Sequence, residues 1–170
     1  MLRVFLLLLT MTAGALAQES GPVVTAARKQ IMERARHLVA AAKEMPADKY
    51  GFKATPGQMT FGHMVFHTAR SNNGLCGLVA GEKHAQPDLK DTDPKDKLVA
   101  ALEQSVAYCD GVLSKVSEKT LGENLKTPWG EEMTRAELLL EINADQADHY
   151  ALAATYLRLN GLLPPTAKKK

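Results

Sequence analysis

Aromatic residues are scarce in this chain: one Trp, four Tyr and four Phe among 170 residues. Proteins that hold single-stranded nucleic acid stack bases on aromatic side chains, and so few rings leave little for such a surface. An excess of one charge is lacking too. The formal net charge is +2, and Lys168, Lys169 and Lys170 supply three positive charges at the C-terminus alone. The body is therefore near neutral and has no electrostatic footprint for a phosphate backbone, so no nucleic-acid partner is expected. The lysine tail reads as a solvated end. Beyond the first residues no apolar run approaches the roughly 20 residues that a membrane-spanning helix needs.

What is present begins with a leader-like start. Met1-Leu2-Arg3 is positive, Val4 through Leu9 is apolar, and Ala15-Leu16-Ala17 is a small-x-small pattern before Gln18. This predicts a secretory signal peptide cleaved after Ala17, leaving a single domain over 18–170. The protein is then exported, to the periplasm in a bacterium, with no stable membrane insertion after cleavage. No cysteine follows the run to carry a lipid. The remainder is long enough for one domain with a real core.

Cysteine is limited to Cys76 and Cys109. In an oxidising compartment they can join neighbouring helices through a disulfide; as free thiols they would be two small buried hydrophobes. Both readings stay open. Nothing nearby in sequence would lower a thiol pKa, which argues against a catalytic cysteine.

Hydrophobic periodicity predicts four helices and no convincing strand. The first covers about Val23 to Lys43 and stops before Met45-Pro46; Ala54 to Gln58 is a turn region. The second starts at Thr60, an N-cap, and ends where Gly81 follows Ala80. A proline-bearing crossover loop spans Glu82 to Pro94. Thr92 or Asp93 is expected to cap the third helix, which runs from Lys95 to about Ser117 with Pro94 in its first turn. A loop around Pro128-Trp129-Gly130 precedes the fourth helix. That helix opens on Thr134 with Glu137 three residues on, a capping-box pattern, and closes near Asn160-Gly161. Four such helices make an all-α four-helix bundle with a long crossover loop.

One helix face is unusual. Leu138, Ile142, Asp145, His149, Leu152, Tyr156 and Leu159 recur at alternating spacings of four and three, the mark of one buried stripe. Two of the seven are polar and lie one turn apart. A buried carboxylate is normally paired, protonated or bound to a metal. Bundles build metal sites from inward side chains on facing helices, and the second helix offers His63 and His67. His67 lies at the edge of its apolar face, beside Met64 and Ser71; His63 lies further toward solvent. His67, Asp145 and His149 are thus candidate ligands for an open divalent site, with a donor set that suits Zn, Ni, Fe or Mn. A hydrogen-bonded Asp145–His149 pair without metal is the alternative. Glu141 and Arg158 are charged groups close enough in sequence to support the ligands. No base or nucleophile stands out, so catalytic residues are unknown, and Trp129 receives no role.

The stretch Met45-Pro-Ala-Asp-Lys-Tyr-Gly-Phe-Lys-Ala-Thr-Pro-Gly-Gln-Met-Thr-Phe-Gly-His-Met-Val-Phe-His67 resembles the entry to the second helix in the DinB-like superfamily. Asp145-Gln-Ala-Asp-His149-Tyr, with Thr155-Tyr-Leu-Arg158-Leu-Asn-Gly-Leu-Leu-Pro-Pro165, is similar to that family's last helix and its exit. The resemblance implies a four-helix bundle with an up-up-down-down-like order, often dimeric. It also implies a divalent metal, Zn or Ni, held by one histidine on the second helix and an H-x-x-x-H pair on the last. By position His67 and His149 match two ligands, while Asp145 stands where the middle histidine would be. That departure implies either a His-Asp-His site or a bundle that has lost metal binding and acts structurally or through a dimer interface. Activities implied are metal-dependent thiol transfer, isomerisation or hydrolysis on a small-molecule substrate.

Overall fold

The computed structural model describes residues 21–83 and 85–168; the signal peptide expected over 1–17 lies outside them. Four helices dominate: α1 (Pro22–Glu44), α2 (Phe61–Ala80), α3 (Lys95–Leu113) and α4 (Arg135–Leu159). Each start and stop has a local cause. Gly21 precedes α1 without a side-chain cap. Instead, the Glu118 carboxylate accepts from the Val23 and Val24 amides at 2.7 and 3.0 Å, serving the orphan donors of the first turn. A Cβ on residue 21 would fall 1.9 Å from Glu118 Cγ, so any larger residue there would push the Glu118 side chain out of this cap. Thr60 caps α2 by accepting from His63 N at 3.0 Å, and Gly81 closes that helix at φ 71°. Thr134 and Glu137 form the expected reciprocal capping box on α4.

Two expectations at the third helix are corrected. Pro94 is itself the N-cap, without a side-chain bond, because the Asp93 carboxylate accepts from Lys90 N at 2.7 Å inside the loop. The helix also ends at Leu113, and Ser117 caps a separate short turn by accepting from Lys119 N. The expectation of no strands also fails. Asn124–Lys126 (β1) and Glu132–Thr134 (β2) pair antiparallel in the register Leu125↔Met133 around the Thr127–Glu131 turn, with Gly130 at φ 91°.

Apolar faces converge in two clusters stacked along the bundle. One gathers Leu38, Met45, Phe61, Met64, Leu98, Leu102, Tyr156 and Leu157; the other gathers Ile31, Cys76, Val79, Cys109, Leu113, Leu138 and Ile142. The order in which each helix meets these clusters shows α1 parallel to α4 and α2 parallel to α3. The chain therefore runs up, down, down, up, rather than the up-up-down-down-like order that the resemblance implied. The reason is local: the 45–60 segment folds straight back, with Phe61 N and Gly62 N donating to Phe52 O and Tyr50 O. The connection that runs the length of the bundle instead joins α2 to α3. It returns along the outside of α2, passing Asn73 and finally His63.

Between the two clusters lies one polar layer. Asn72 donates to Ser105 at 3.0 Å and accepts from Gln146, all three buried; Gln146 Oε1 has no partner among the described residues. Close by, Cys76 and Cys109 form a disulfide between α2 and α3, with Cα atoms 5.4 Å apart. Of the α4 stripe, Leu159 departs: it is 58% exposed, because the helix ends there and the chain turns away at Gly161. Among the described residues no helix is long and apolar enough to cross a membrane.

Candidate metal centre

At the level of the polar layer, but on the outer side of α2 and α4, three side chains meet. His67 comes from α2, and Asp145 and His149 from α4. One ligand atom of each lies within 4.8 Å of the others. The i,i+4 spacing puts Asp145 and His149 on one face of their helix, and the rings of His67 and His149 lie 5.0 Å apart. The structure thus brings the three sequence candidates together.

Hydrogen bonds orient two of them. His149 Nδ1 donates to the Asp145 backbone carbonyl at 2.7 Å, which leaves Nε2 as the free ring nitrogen. Fixing one imidazole nitrogen in this way is how ligating histidines are usually aimed. Asp145 Oδ2 accepts from Ser71 Oγ at 3.0 Å, and Oδ1 stands 3.4 Å from His149 Nδ1. Both side chains are mostly buried, whereas His67 faces solvent and keeps one side of the cluster open. The His67 pKa is lowered, first by desolvation and then by the neighbouring His149, against an opposing pull from Asp145. The ring is therefore neutral at pH 7 and carries the lone pair that a metal needs. Two nitrogens and a carboxylate oxygen on rigid helices, with one open side, fit a divalent ion.

Other candidates are placed elsewhere. His63 stacks near His67, with centroids 6.4 Å apart, but its Nδ1 is engaged by Asp91 of the crossover loop at 2.8 Å. Glu141 and Arg158 are exposed, and among the described residues no hydrogen bond or ion pair joins either to the cluster. The Ser71 bond to Asp145 and the Asp91 bond to His63 are not evident from the sequence. Ser71 had a signal, standing one turn after His67 on the same face; Asp91 had none.

Fold and site together define a four-helix bundle that carries a His–Asp–His cluster on two neighbouring helices. The family follows from sequence: the model of the DinB superfamily matches residues 30–153, and the chain belongs to that superfamily. No curated protein matches the chain in sequence. Among solved structures, a DinB-like protein from Bacillus subtilis superposes with TM-score 0.69 at 16% identity, over 85% of this chain and 99% of that one. A DinB-like protein from Bacillus cereus gives 0.66 at 15% identity, covering 78% and 89%. A mycothiol-dependent maleylpyruvate isomerase gives 0.63 at 18% identity, over 75% of this chain but only 59% of that longer protein. At such identities these likenesses establish the fold.

Proposed function

We propose that the protein is an exported metal-dependent enzyme of the DinB superfamily. It holds one divalent ion, Zn or Ni, between His67, Asp145 and His149, and acts on a small molecule as a transferase or hydrolase. The observation that carries this reading is the convergence of the three donors within 4.8 Å from two helices. When bound, such an ion supplies a Lewis acid that makes water or a thiol more acidic near neutral pH. The chain's own residues do the rest. His67 offers a neutral nitrogen, His149 is aimed through the Asp145 carbonyl, and Asp145 brings the negative charge that a third imidazole would lack. The isomerase among the structural neighbours, mycothiol-dependent by name, supports a small-molecule reaction. The Cys76–Cys109 disulfide accords with export to an oxidising compartment. A homodimer belongs to the same proposal, to be read by sedimentation.

A second reading has its own support. Asp145 already accepts from Ser71 and stands beside His149, so the cluster satisfies itself without an ion and could serve packing alone. Metal analysis separates the two. Protein purified without chelators or affinity-tag metal, then replenished, is expected to retain about one ion per chain, and His149→Ala close to none. Substoichiometric metal in both proteins would remove the enzyme reading and leave the packing one.

A further inference from the structure

The face of α2 that carries His67 and Ser71 continues through Gly74 and Leu78, again at spacings of three and four. Gly74 lies about 10 Å along the helix axis from His67. Over Gly74 and Leu78 opens a cavity of about 630 Å³, walled by Lys83 and Gln86 of the crossover loop and by Leu125 and Lys126 of the hairpin. Small-molecule pockets fall in the range of roughly 300–1,000 Å³.

Two features mark it as built for a ligand. Glycine inside a helix is destabilising relative to alanine, and at residue 74 packing does not require it. A Cβ there would meet only Gln86 Nε2, at 4.0 Å. The missing side chain instead leaves the cavity floor open. At the rim, Lys83 and Lys126 form no ion pair with any described carboxylate, and Glu82 of the same wall accepts from the Tyr108 hydroxyl at 3.0 Å, so the rim carries one positive charge in excess.

We propose that this cavity binds the apolar body of a small organic anion, with its carboxylate held between Lys83 and Lys126 and its other end directed along α2 toward His67. The pocket would thus select an amphiphilic carboxylic acid as the substrate class; that last step rests on the metal-enzyme reading above.

Trp129, the only tryptophan, stands next to Pro128 of the cavity wall and is 53% exposed, which makes it a reporter. The test titrates metal-free protein with 8-anilinonaphthalene-1-sulfonate, an apolar anion that accepts tryptophan emission, and displaces it with decanoate. Saturable quenching of Trp129 is expected. Gly74→Leu fills the floor and should weaken probe binding on the order of ten-fold without lowering Tm. The surface variant Lys83→Ala/Lys126→Ala should weaken it several-fold and remove most of its salt dependence. Equal binding by Gly74→Leu and the native chain, or no saturable binding by the native chain, overturns the proposal. If Gly74→Leu does not fold, an unchanged affinity in the double lysine variant overturns it. Because the titration is metal-free, its failure is separate from failure of the metal centre, which the metal analysis reads.

Discussion

Ser71 and Asn72 are adjacent in sequence and serve two different sides of α2, about 100° apart. Ser71 donates outward to Asp145, whereas Asn72 reaches inward to Ser105 and Gln146. This pairing ties the candidate centre to the core. Removing the hydroxyl with Ser71→Ala frees Asp145 to rotate, and groups that hold a ligand in this way are typically worth 10–100-fold in affinity. We expect Zn affinity, measured by competition with a chromogenic chelator, to fall by about ten-fold while the circular dichroism spectrum is unchanged. Unaltered affinity would mean that Asp145 is positioned by its helix alone. At this scale the sequence was informative where chemistry is rare. Asp145 and His149 stand out because charged groups seldom occupy an apolar stripe, and their convergence with His67 followed from helix geometry. Ser71 did not stand out as a partner, since serine on a helix is commonplace, and the Asp91 contact with His63 depends on a loop path that no periodicity encodes.

At the scale of the element, helix boundaries were legible because caps act within four residues. The capping box of α4 is the clearest case, and Thr134→Ala is expected to cost about 1 kcal/mol in urea denaturation. The same cap has a pH dependence. Glu137 has a lowered pKa because its carboxylate accepts from the Thr134 amide and hydroxyl. For an acid with a depressed folded pKa, the stabilisation is complete above the unfolded value, 4.5, and is lost as pH falls through the folded one. Protection of the Thr134 amide, taken relative to its intrinsic exchange rate at each pH, should therefore fall below pH 4.5 in the native chain and show no such step in Glu137→Gln. The hairpin was not legible: strands of three residues are too short to display a period of two. The start of the third helix was not legible because Asp93, a good capping residue in isolation, accepts from Lys90 N instead.

At the scale of the whole molecule, the bundle and its crossover were readable from four amphipathic stretches, but helix direction was not, since hydrophobic stripes carry no polarity. The disulfide was one of two open readings, and distance decided it. It links α2 to α3 across the crossover connection, a sequence separation of 33. Loop-closure entropy for that separation amounts to about 4 kcal/mol. Cys76→Ala/Cys109→Ala, or reduction of the native chain, should lower the free energy of unfolding by roughly that amount. A loss below about 1 kcal/mol would mean that the apolar clusters alone hold the two helices.

The buried layer of Asn72, Ser105 and Gln146 also sets a constraint that no apolar contact supplies. Greasy helices slide past one another by a turn at little cost, because one leucine replaces another. A slip here would strand several buried amide and hydroxyl groups, each costing about 1–3 kcal/mol. The layer therefore keys α2, α3 and α4 into a single axial alignment. His67 on one helix and Asp145 with His149 on another are set side by side by that key, so the tolerance of the site is fixed in the core beneath it.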